Sequence, residues 1–161
     1  MNNIKLRIVD ENDAEFLFRI MNDVTVLKAL NEVETHLCDW EDAIREWNID
    51  EDEEDYMIYN EGVPIGWLGI NGLISTDRIA YLKIVAILPD YQNRGIGHYS
   101  ISHIVEMLRL RNYTKVALYT NQNNHKAQDC YRKCGFKVVE ELTEKMPDGE
   151  IVARYKMELN L

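Results

Sequence analysis

Residues 79–97 read IAYLKIVAILPDYQNRGIG, and this stretch decides the fold. Its first ten residues are uncharged apart from Lys83. A strand that is apolar on both faces is typical of the centre of a sheet. Pro89 ends the strand because a proline has no N–H to donate to a neighbouring strand. We therefore predict a central β-strand over Ile79–Leu88, followed by a polar, glycine-bearing loop over Asp90–Gly97.

A helix and a second strand are predicted to follow that loop. Apolar residues recur there at the i, i+3, i+4, i+7 spacing of one buried helix face. These residues are Ile101, Ile104, Val105 and Leu108. Val116 and Leu118 then begin a new strand. The order strand, crossover helix, strand implies a parallel pair with a right-handed connection.

The same reasoning extends to both ends of the chain. Towards the N-terminus it predicts a strand over Ile4–Ile8, a helix from Asp10 carrying Leu17, Ile20, Met21 and Val24, a helix capped by Asp39 carrying Trp40, Ala43, Ile44 and Trp47, and a hairpin of Tyr56–Tyr59 and Ile65–Ile70 around Glu61-Gly62. Towards the C-terminus it predicts a helix carrying Ala127, Cys130, Tyr131 and Cys134 that ends at Gly135, then strands over Phe136–Val139 and Ile151–Leu159. A mixed α/β sheet with helices on both faces is expected.

Length and charge limit the classes of function. A chain of 161 residues is the size of one domain, here 1–161. Its net charge of −10 argues against general nucleic-acid binding. The charge is uneven: residues 32–55 hold twelve acids and one base, whereas 83–137 hold nine bases and three acids. This distribution still allows a local basic site for a small phosphate ligand.

Membrane and metal functions are not expected. No apolar run approaches the roughly 18–20 residues that span a bilayer, and the N-terminus lacks the apolar stretch of a secretory signal, so we expect a cytoplasmic protein. Cys130 and Cys134 are interpreted as reduced thiols. His125 alone does not complete a tetrahedral set with them, so no metal is predicted.

The loop Gln92–His98 joins the central strand to the following helix. Helix N-termini carry unpaired amides and partial positive charge, and glycines let a phosphate approach those amides closely. The Walker pattern fails because no Gly-Lys-Ser/Thr follows, and Ser100 occupies the third glycine position of the dinucleotide fingerprint. The loop is thus either a cradle for another phosphate ligand or a tight turn without a ligand.

Two motifs resemble one protein family. Gln92-x-x-Gly95-x-Gly97, preceded by Ile87-x-Pro89, resembles the acetyl-CoA loop of the GNAT superfamily of N-acetyltransferases. Asn124-x-x-Ala127-x-x-x-Tyr131-x-x-x-Gly135-Phe136 resembles the next segment of that family, one strand further along. The motifs cover roughly residues 79–140, and the order of elements extends the resemblance along the chain. The family fold implies a mostly antiparallel sheet of six to seven strands with a central parallel pair.

The resemblance implies a set of cofactor contacts. The loop amides of Asn93, Arg94, Gly95, Ile96, Gly97 and His98 would bind the pyrophosphate of coenzyme A, and the strand positions Val85, Ala86 and Ile87 would pair with its pantetheine arm. Gln92, Asn124 and Tyr131 are also expected to contact the cofactor. The backbone amide of Ile87 would polarise the thioester carbonyl, a role that needs only a backbone donor.

Tyr131 matches the general acid of the family. A phenol with a pKa near 10 can donate a proton to a departing thiolate whose conjugate acid has a pKa around 8.5. The alternative is that Tyr131 only fills a buried helix stripe. Some relatives carry a glutamate base where this chain has Tyr119. We therefore expect the amine to be deprotonated through ordered water, with the acidic window or Tyr119 at its far end.

Residues 1–70 correspond to the acceptor side of the family fold, and 79–140 to its acetyl-CoA core. The resemblance implies direct acetyl transfer from acetyl-CoA to a primary amine of a small molecule or peptide. The acidic window 32–55 would attract a cationic acceptor, unless Glu51–Glu54 is only a solvated loop. Homodimers are common in similar proteins. The alternatives are a non-catalytic acyl-CoA-binding regulatory module and a generic interaction domain.

Overall fold

The computed structural model describes residues 3–161; Met1 and Asn2, where the predicted domain begins, lie outside the described residues. The strands are β1 (Ile4–Ile8), β2 (Glu54–Asn60), β3 (Val63–Asn71), β4 (Ile79–Ile87), β5 (Lys115–Asn121), β6 (Lys137–Lys145) and β7 (Ile151–Asn160). The helices are α1 (Ala14–Ile20), α2 (Val24–Leu30), α3 (Leu37–Trp47), α4 (Ile96–Leu110) and α5 (His125–Lys133). Short 3₁₀ turns lie at Glu11–Asp13 and Pro89–Tyr91.

The strands form one seven-stranded sheet in the order β1-β2-β3-β4-β5-β7-β6. Every neighbouring pair is antiparallel except β4 and β5, which are parallel. The predicted mixed, mostly antiparallel sheet with a central parallel pair is therefore confirmed. The apolar strand β4 lies fourth of seven, which agrees with its burial on both faces.

Two hydrophobic clusters cover the two faces of the sheet. On one face, α4 packs through Ile101, Ile104 and Leu108, and Phe136 after α5 joins the same cluster. On the other face, α1 and α3 contribute Leu17, Ile20, Trp40 and Ile44. Helices on both faces were predicted, and the alternation of side chains along each strand supplies apolar residues to both layers. No helix within residues 3–161 is both long and apolar enough to cross a membrane.

The N-terminal helices differ from the prediction. The helix expected to run from Asp10 to Val24 ends at Ile20, and Val24 begins a separate helix with its side chain 80% exposed. Asp23 causes the break because its carboxylate accepts a hydrogen bond from the Val26 amide and caps α2. Asn31 ends α2 in the left-handed conformation with φ 53°.

The start of α3 was also predicted wrongly. His36, not Asp39, precedes the first helical residue, Leu37. Asp39 lies in the first turn, where its Oδ2 accepts a hydrogen bond from the His36 amide at 2.7 Å. A carboxylate three residues after the cap forms one half of a capping box. An aspartate near the start of a helix can therefore occupy either the cap or the third helical position.

The cap of α2 gives a stability prediction. We expect Asp23→Ala to lower the free energy of unfolding by about 1 kcal/mol, since the Val26 amide loses its partner. Asp23→Asn is the matched control because its side-chain oxygen can still accept that hydrogen bond. Urea unfolding of both variants measures the difference, and equal losses in the two would contradict the capping role.

Candidate active site

The parallel strands β4 and β5 are paired only at their beginnings. The register runs from Ile79 opposite Lys115 to Tyr81 opposite Ala117, and then ends. Beyond that point β4 continues beside β3, with Ile87 opposite Gly66. β5 continues beside β7, with Asn121 opposite Arg154. The two strands therefore diverge and leave a wedge-shaped opening in the middle of the sheet.

The backbone along this opening has hydrogen-bonding groups that no neighbouring strand within residues 3–161 satisfies. The amide of Leu88 donates to Ile65 of β3, and neighbouring residues of a strand point their backbone groups to opposite sides. The N–H and C=O groups of Val85 and Ile87 therefore point towards the opening. The side chain of Gln92 donates to the carbonyl of Ile87 at 2.8 Å, which fits this direction. An extended ligand segment could pair with this edge.

A cavity of about 600 Å³ lies at the opening. The predicted site residues that line it are Val85, Ile87, Gln92, Asn93, Gly95, Ile96, Gly97, His98, Asn124 and Tyr131. They come from β4, the loop that follows it, the start of α4 and the start and middle of α5. The fold thus brings together residues that are 46 positions apart in the chain, from Val85 to Tyr131.

Two predicted residues lie elsewhere. Ala86 is buried in the cluster under α1 and α3, because side chains alternate along β4 and Ala86 points away from Val85 and Ile87. Arg94 does not line the cavity; its guanidinium lies 5.3 Å from the ring centre of Tyr91, a cavity residue. The cofactor contacts of both residues remain predictions. For Ala86 the contact would be made by its backbone, and for Arg94 it would lie at the edge of the cavity.

The start of α4 has the features of an anion site. Gly95 caps the helix in the left-handed conformation, with φ 78°, which a glycine adopts without steric cost. The Tyr99 amide donates to the Gly95 carbonyl, so the three amides before it have no partner within the helix. Lys126 and Lys133 also line the cavity. The partial charge of the helix start favours a phosphate, and the two lysines outweigh Asp129, the one carboxylate residue among the described residues that line the cavity.

Asn124 both lines the cavity and begins α5. Its side-chain oxygen accepts a hydrogen bond from the Ala127 amide at 3.2 Å, so Asn124 is the N-cap of this helix. Gly135 follows the helix with φ 99°, as predicted for a left-handed end. These two ends fix the position of Tyr131 between them.

Tyr131 lies against Phe136, with ring centres 6.2 Å apart. Burial raises the pKa of its hydroxyl above the usual value, the nearby Cys130 and Cys134 raise it further, and Arg154 opposes the shift. The hydroxyl is therefore protonated at neutral pH. A protonated phenol on the wall of the cavity could donate a proton to a leaving group.

Cys130 of α5 and Cys134, which follows the helix, are free thiols, as predicted. Cys130 lines the cavity. The interaction with the neighbouring Cys130 lowers the pKa of Cys134 to about 7, and the same interaction raises the pKa of Cys130. In the described part of the chain, no group of three or more histidine, cysteine, aspartate or glutamate side chains could hold a metal ion.

One wall of the cavity was not predicted. It is formed by Thr25, Val26, Ala29 and Leu30. All four belong to α2, a helix that the prediction did not separate from α1. The signal was present in Asp23 and Asn31, a capping residue and a residue that tolerates the left-handed conformation, placed eight positions apart.

The acidic segment 52–55 is held in internal contacts. Asp52 accepts hydrogen bonds from the backbone amides of Gly72 and Ile74. Glu54 pairs with Arg111, at 2.7 Å. Residues 53–55 line a second cavity of about 200 Å³, which shares no lining residue with the first. The expectation of a solvated loop at Glu51–Glu54 is therefore wrong for Glu54.

Tyr119, the predicted alternative to a glutamate base, lies on β5 beyond its last contact with β4. Its ring stacks on that of Tyr81, with centres 6.4 Å apart and planes within 8°. The side chain is 39% exposed. Tyr119 is therefore partly open to water, but it is not among the described residues that line the cavity.

Solved structures of low sequence identity share this fold over almost the whole chain. Spermidine N-acetyltransferase from Vibrio cholerae in complex with CoA and spermine is 20% identical, with a TM-score of 0.89 over 99% of this chain and 96% of that one. Aminoglycoside acetyltransferase AAC(6′)-Ib in complex with coenzyme A is 21% identical, with a TM-score of 0.81 over 98% of this chain and 94% of that one.

The sequence comparisons point the same way. A chloroplastic GCN5-related N-acetyltransferase 6 of Arabidopsis thaliana is 31% identical over 65 residues, which are 40% of this chain and 23% of that protein. The match thus spans less than a quarter of this relative. The profile of the acetyltransferase (GNAT) family matches residues 15–136, most of the chain. The chain therefore belongs to the GNAT family of acetyltransferases, which are acyltransferase enzymes.

Proposed function

We propose that this chain acts as one N-acetyltransferase domain that transfers the acetyl group of acetyl-CoA to a primary amine of a small molecule or peptide. One observation carries the proposal: the unpaired edge of β4, the free amides at the start of α4 and the hydroxyl-bearing Tyr131 all border the same cavity. The cavity volume of about 600 Å³ is within the range of small-molecule sites. Neighbours in fold are described as CoA complexes of enzymes that acetylate amines.

The residues fit coenzyme A in chemical character. The amides of Ile96, Gly97 and His98 would hold the pyrophosphate, with Lys126 and Lys133 supplying positive charge. The outward backbone groups of Val85 would pair with the amides of the pantetheine arm, whereas the Ile87 carbonyl already accepts a hydrogen bond from Gln92. The Ile87 amide would donate to the carbonyl oxygen of the thioester, where negative charge develops during attack.

The reaction we propose is direct attack in a ternary complex. The amine nitrogen forms a bond to the thioester carbon, the carbon–sulfur bond breaks, and the thiolate receives a proton from Tyr131. The amine loses a proton to ordered water, with Tyr119 of β5 at its far end, and Tyr131 regains a proton from the solvent. This route needs no cysteine or serine nucleophile.

The proposal is tested with an amine panel. Purified protein is mixed with acetyl-CoA and with polyamines, aminoglycosides, amino acids or peptides, and the release of free thiol is followed. We expect thiol release with at least one acceptor, and a rise in melting temperature with coenzyme A alone. A rise in melting temperature without thiol release would favour the regulatory module. That alternative is retained because Tyr119 stands where some relatives carry a glutamate base. No stabilisation at all would overturn the proposal.

The role of Tyr131 gives a sharper prediction. Tyr131→Phe keeps the ring against Phe136 but removes the proton donor. We expect kcat to fall by about 10²–10⁴-fold, the usual contribution of general acid catalysis, while the Kd for coenzyme A stays within about twofold of wild type because the ring is retained. Steady-state kinetics and calorimetry measure the two quantities. An unchanged kcat would remove Tyr131 from this role.

A second prediction concerns the acceptor. Glu32 follows α2 two residues after the cavity residue Leu30. Burial raises the pKa of its carboxyl, and Asp148 adds to the shift. We expect Glu32→Gln to raise the KM of a cationic acceptor by about three- to tenfold, as the loss of one partly buried charge contact implies, and to leave the KM of acetyl-CoA unchanged. Glu41→Gln, on the exposed face of α3, is the control. Equal effects of the two substitutions would contradict a local contact at Glu32.

A further inference from the structure

Strand β4 carries a bulge at the point where it leaves β5. Gly69 of β3 lies opposite Ile84, and the next residue, Ile70, lies opposite Leu82. Lys83 is therefore the extra residue on β4. A bulge bends its strand and increases the local twist. Residues 79–81, before the bulge, are paired with β5, whereas residues 84–87, after it, are paired only with β3.

The side chain of Lys83 is held from several sides. Its ammonium group forms ion pairs with Asp55, at 3.2 Å, and with Glu53. It also lies 4.5 Å from the ring centre of Trp47 and 5.2 Å from that of Trp67. Ammonium groups are attracted to aromatic faces at such distances. The bulged residue is thus tied to β2, to β3 and to the end of α3.

Asp55 is the deepest member of this group. Its side chain is 1% exposed, and Oδ1 accepts a hydrogen bond from Trp67 Nε1 at 2.8 Å. Its second oxygen, Oδ2, has no hydrogen-bond partner among the described residues. A buried ion pair with an unsatisfied oxygen contributes little to stability and is often replaceable by apolar residues. The pair is therefore better explained by the geometry that it imposes than by the stability that it gives.

Gly69 makes room for the pair. A Cβ atom at this position would lie 2.5 Å from Asp55 Oδ1 and 2.8 Å from Lys83 Cε. Only a residue without a side chain lets the carboxylate and the lysine meet across β3. The bulge, the glycine opposite it and the ion pair therefore form one unit, which we call the bulge clamp: Asp55, Gly69 and Lys83.

We propose that the bulge clamp positions the open edge of β4, so that Lys83 and Asp55 set the affinity of the acetyl-CoA site without touching the cofactor. The inference rests on the proposed function for the identity of the ligand. Val85 and Ile87 follow Lys83 by two and four residues along the same strand. A change in the bulge therefore alters the direction of the backbone groups that face the opening.

The clamp depends on pH in a definite direction. Burial raises the pKa of Asp55 to about 7, although Lys83 and the Trp67 N–H oppose the shift and Glu53 adds to it. Asp50 and Glu54 line the adjoining cavity with Asp55. Below pH 7 Asp55 becomes neutral and its ion pair with Lys83 is lost. We expect binding of coenzyme A to weaken there.

Stability should respond to pH in the opposite sense. The folded state holds a proton on Asp55 at pH values between its ordinary pKa and 7, whereas the unfolded chain does not. The contribution of Asp55 to the free energy of unfolding therefore increases as the pH falls from about 7 towards 4. If the charged form of Asp55 only stabilised the fold, its protonation at low pH would weaken both coenzyme A binding and stability. Opposite trends identify a positioning role.

The test compares Lys83→Met, Asp55→Asn and the double variant. Asparagine can still accept the hydrogen bond from Trp67, and methionine keeps the length of the side chain. We expect Lys83→Met to raise the Kd for coenzyme A by about tenfold or more, since small displacements of positioning groups have large effects. The double variant should recover part of the melting temperature, because Asp55 is no longer charged although Glu53 has lost its partner, but not the affinity. Asp55→Asn should abolish the dependence of Kd on pH near 7.

Arg111→Met is the control, since it breaks the ion pair of the neighbouring Glu54 without touching the bulge. Its Kd should equal that of wild type. Amide hydrogen exchange of Ile84, Ala86 and Leu88, whose amides face β3, gives an independent readout without any ligand, and we expect faster exchange in Lys83→Met and in the double variant. Wild-type affinity and exchange in the double variant would overturn the clamp. If the wild type does not bind coenzyme A, the proposed function is overturned instead. Amide hydrogen exchange would still test the bulge clamp in that case.

Discussion

The structure depends on one constraint: β4 is paired with β5 only over Ile79–Tyr81, and from Tyr81 onwards it is paired with β3. Beyond it the strand keeps its hydrogen bonds to β3 and turns its remaining backbone groups to an opening. Unpaired backbone groups inside a sheet are costly unless water or a ligand satisfies them. The wedge is therefore the part of the sheet that lacks regular strand pairing. The free amides of α4 and the hydroxyl of Tyr131 border the same space.

The rest of the molecule keeps this opening in place. Two hydrophobic clusters on opposite faces hold the sheet, one under α4 and one under α1 and α3. Because side chains alternate, Val85 and Ile87 line the cavity while Ala86 anchors the same strand in the opposite core. The strand that borders the site is thus fixed through its other face, and the site is built on a rigid element, as precise positioning requires.

Much of the fold could be predicted because its signals are local. The uncharged run of β4, the helical stripe of α4 and the glycine after α5 each act within a few residues, and each was found. The errors have local causes too. Asp23 interrupts a helical pattern by capping the next helix, and Asp39 contacts the His36 amide from inside the helix. Capping residues predict that a helix begins nearby, but several positions satisfy the same amides. Missing α2 meant missing the cavity wall that it forms.

By itself, the sequence determined the order of the strands and of the helices other than α2, the family motifs and the glycine loop at the end of a central strand, because periodicity and turn chemistry depend on neighbouring residues. Tertiary structure decided which charges are free. The acidic window looked uniform along the chain, yet Asp52 binds backbone amides, Glu54 pairs with Arg111, and Asp55 is buried against Lys83. The physical reason is that ion pairs and close approaches join residues that are distant in the chain, and only the pairing of their strands brings them together.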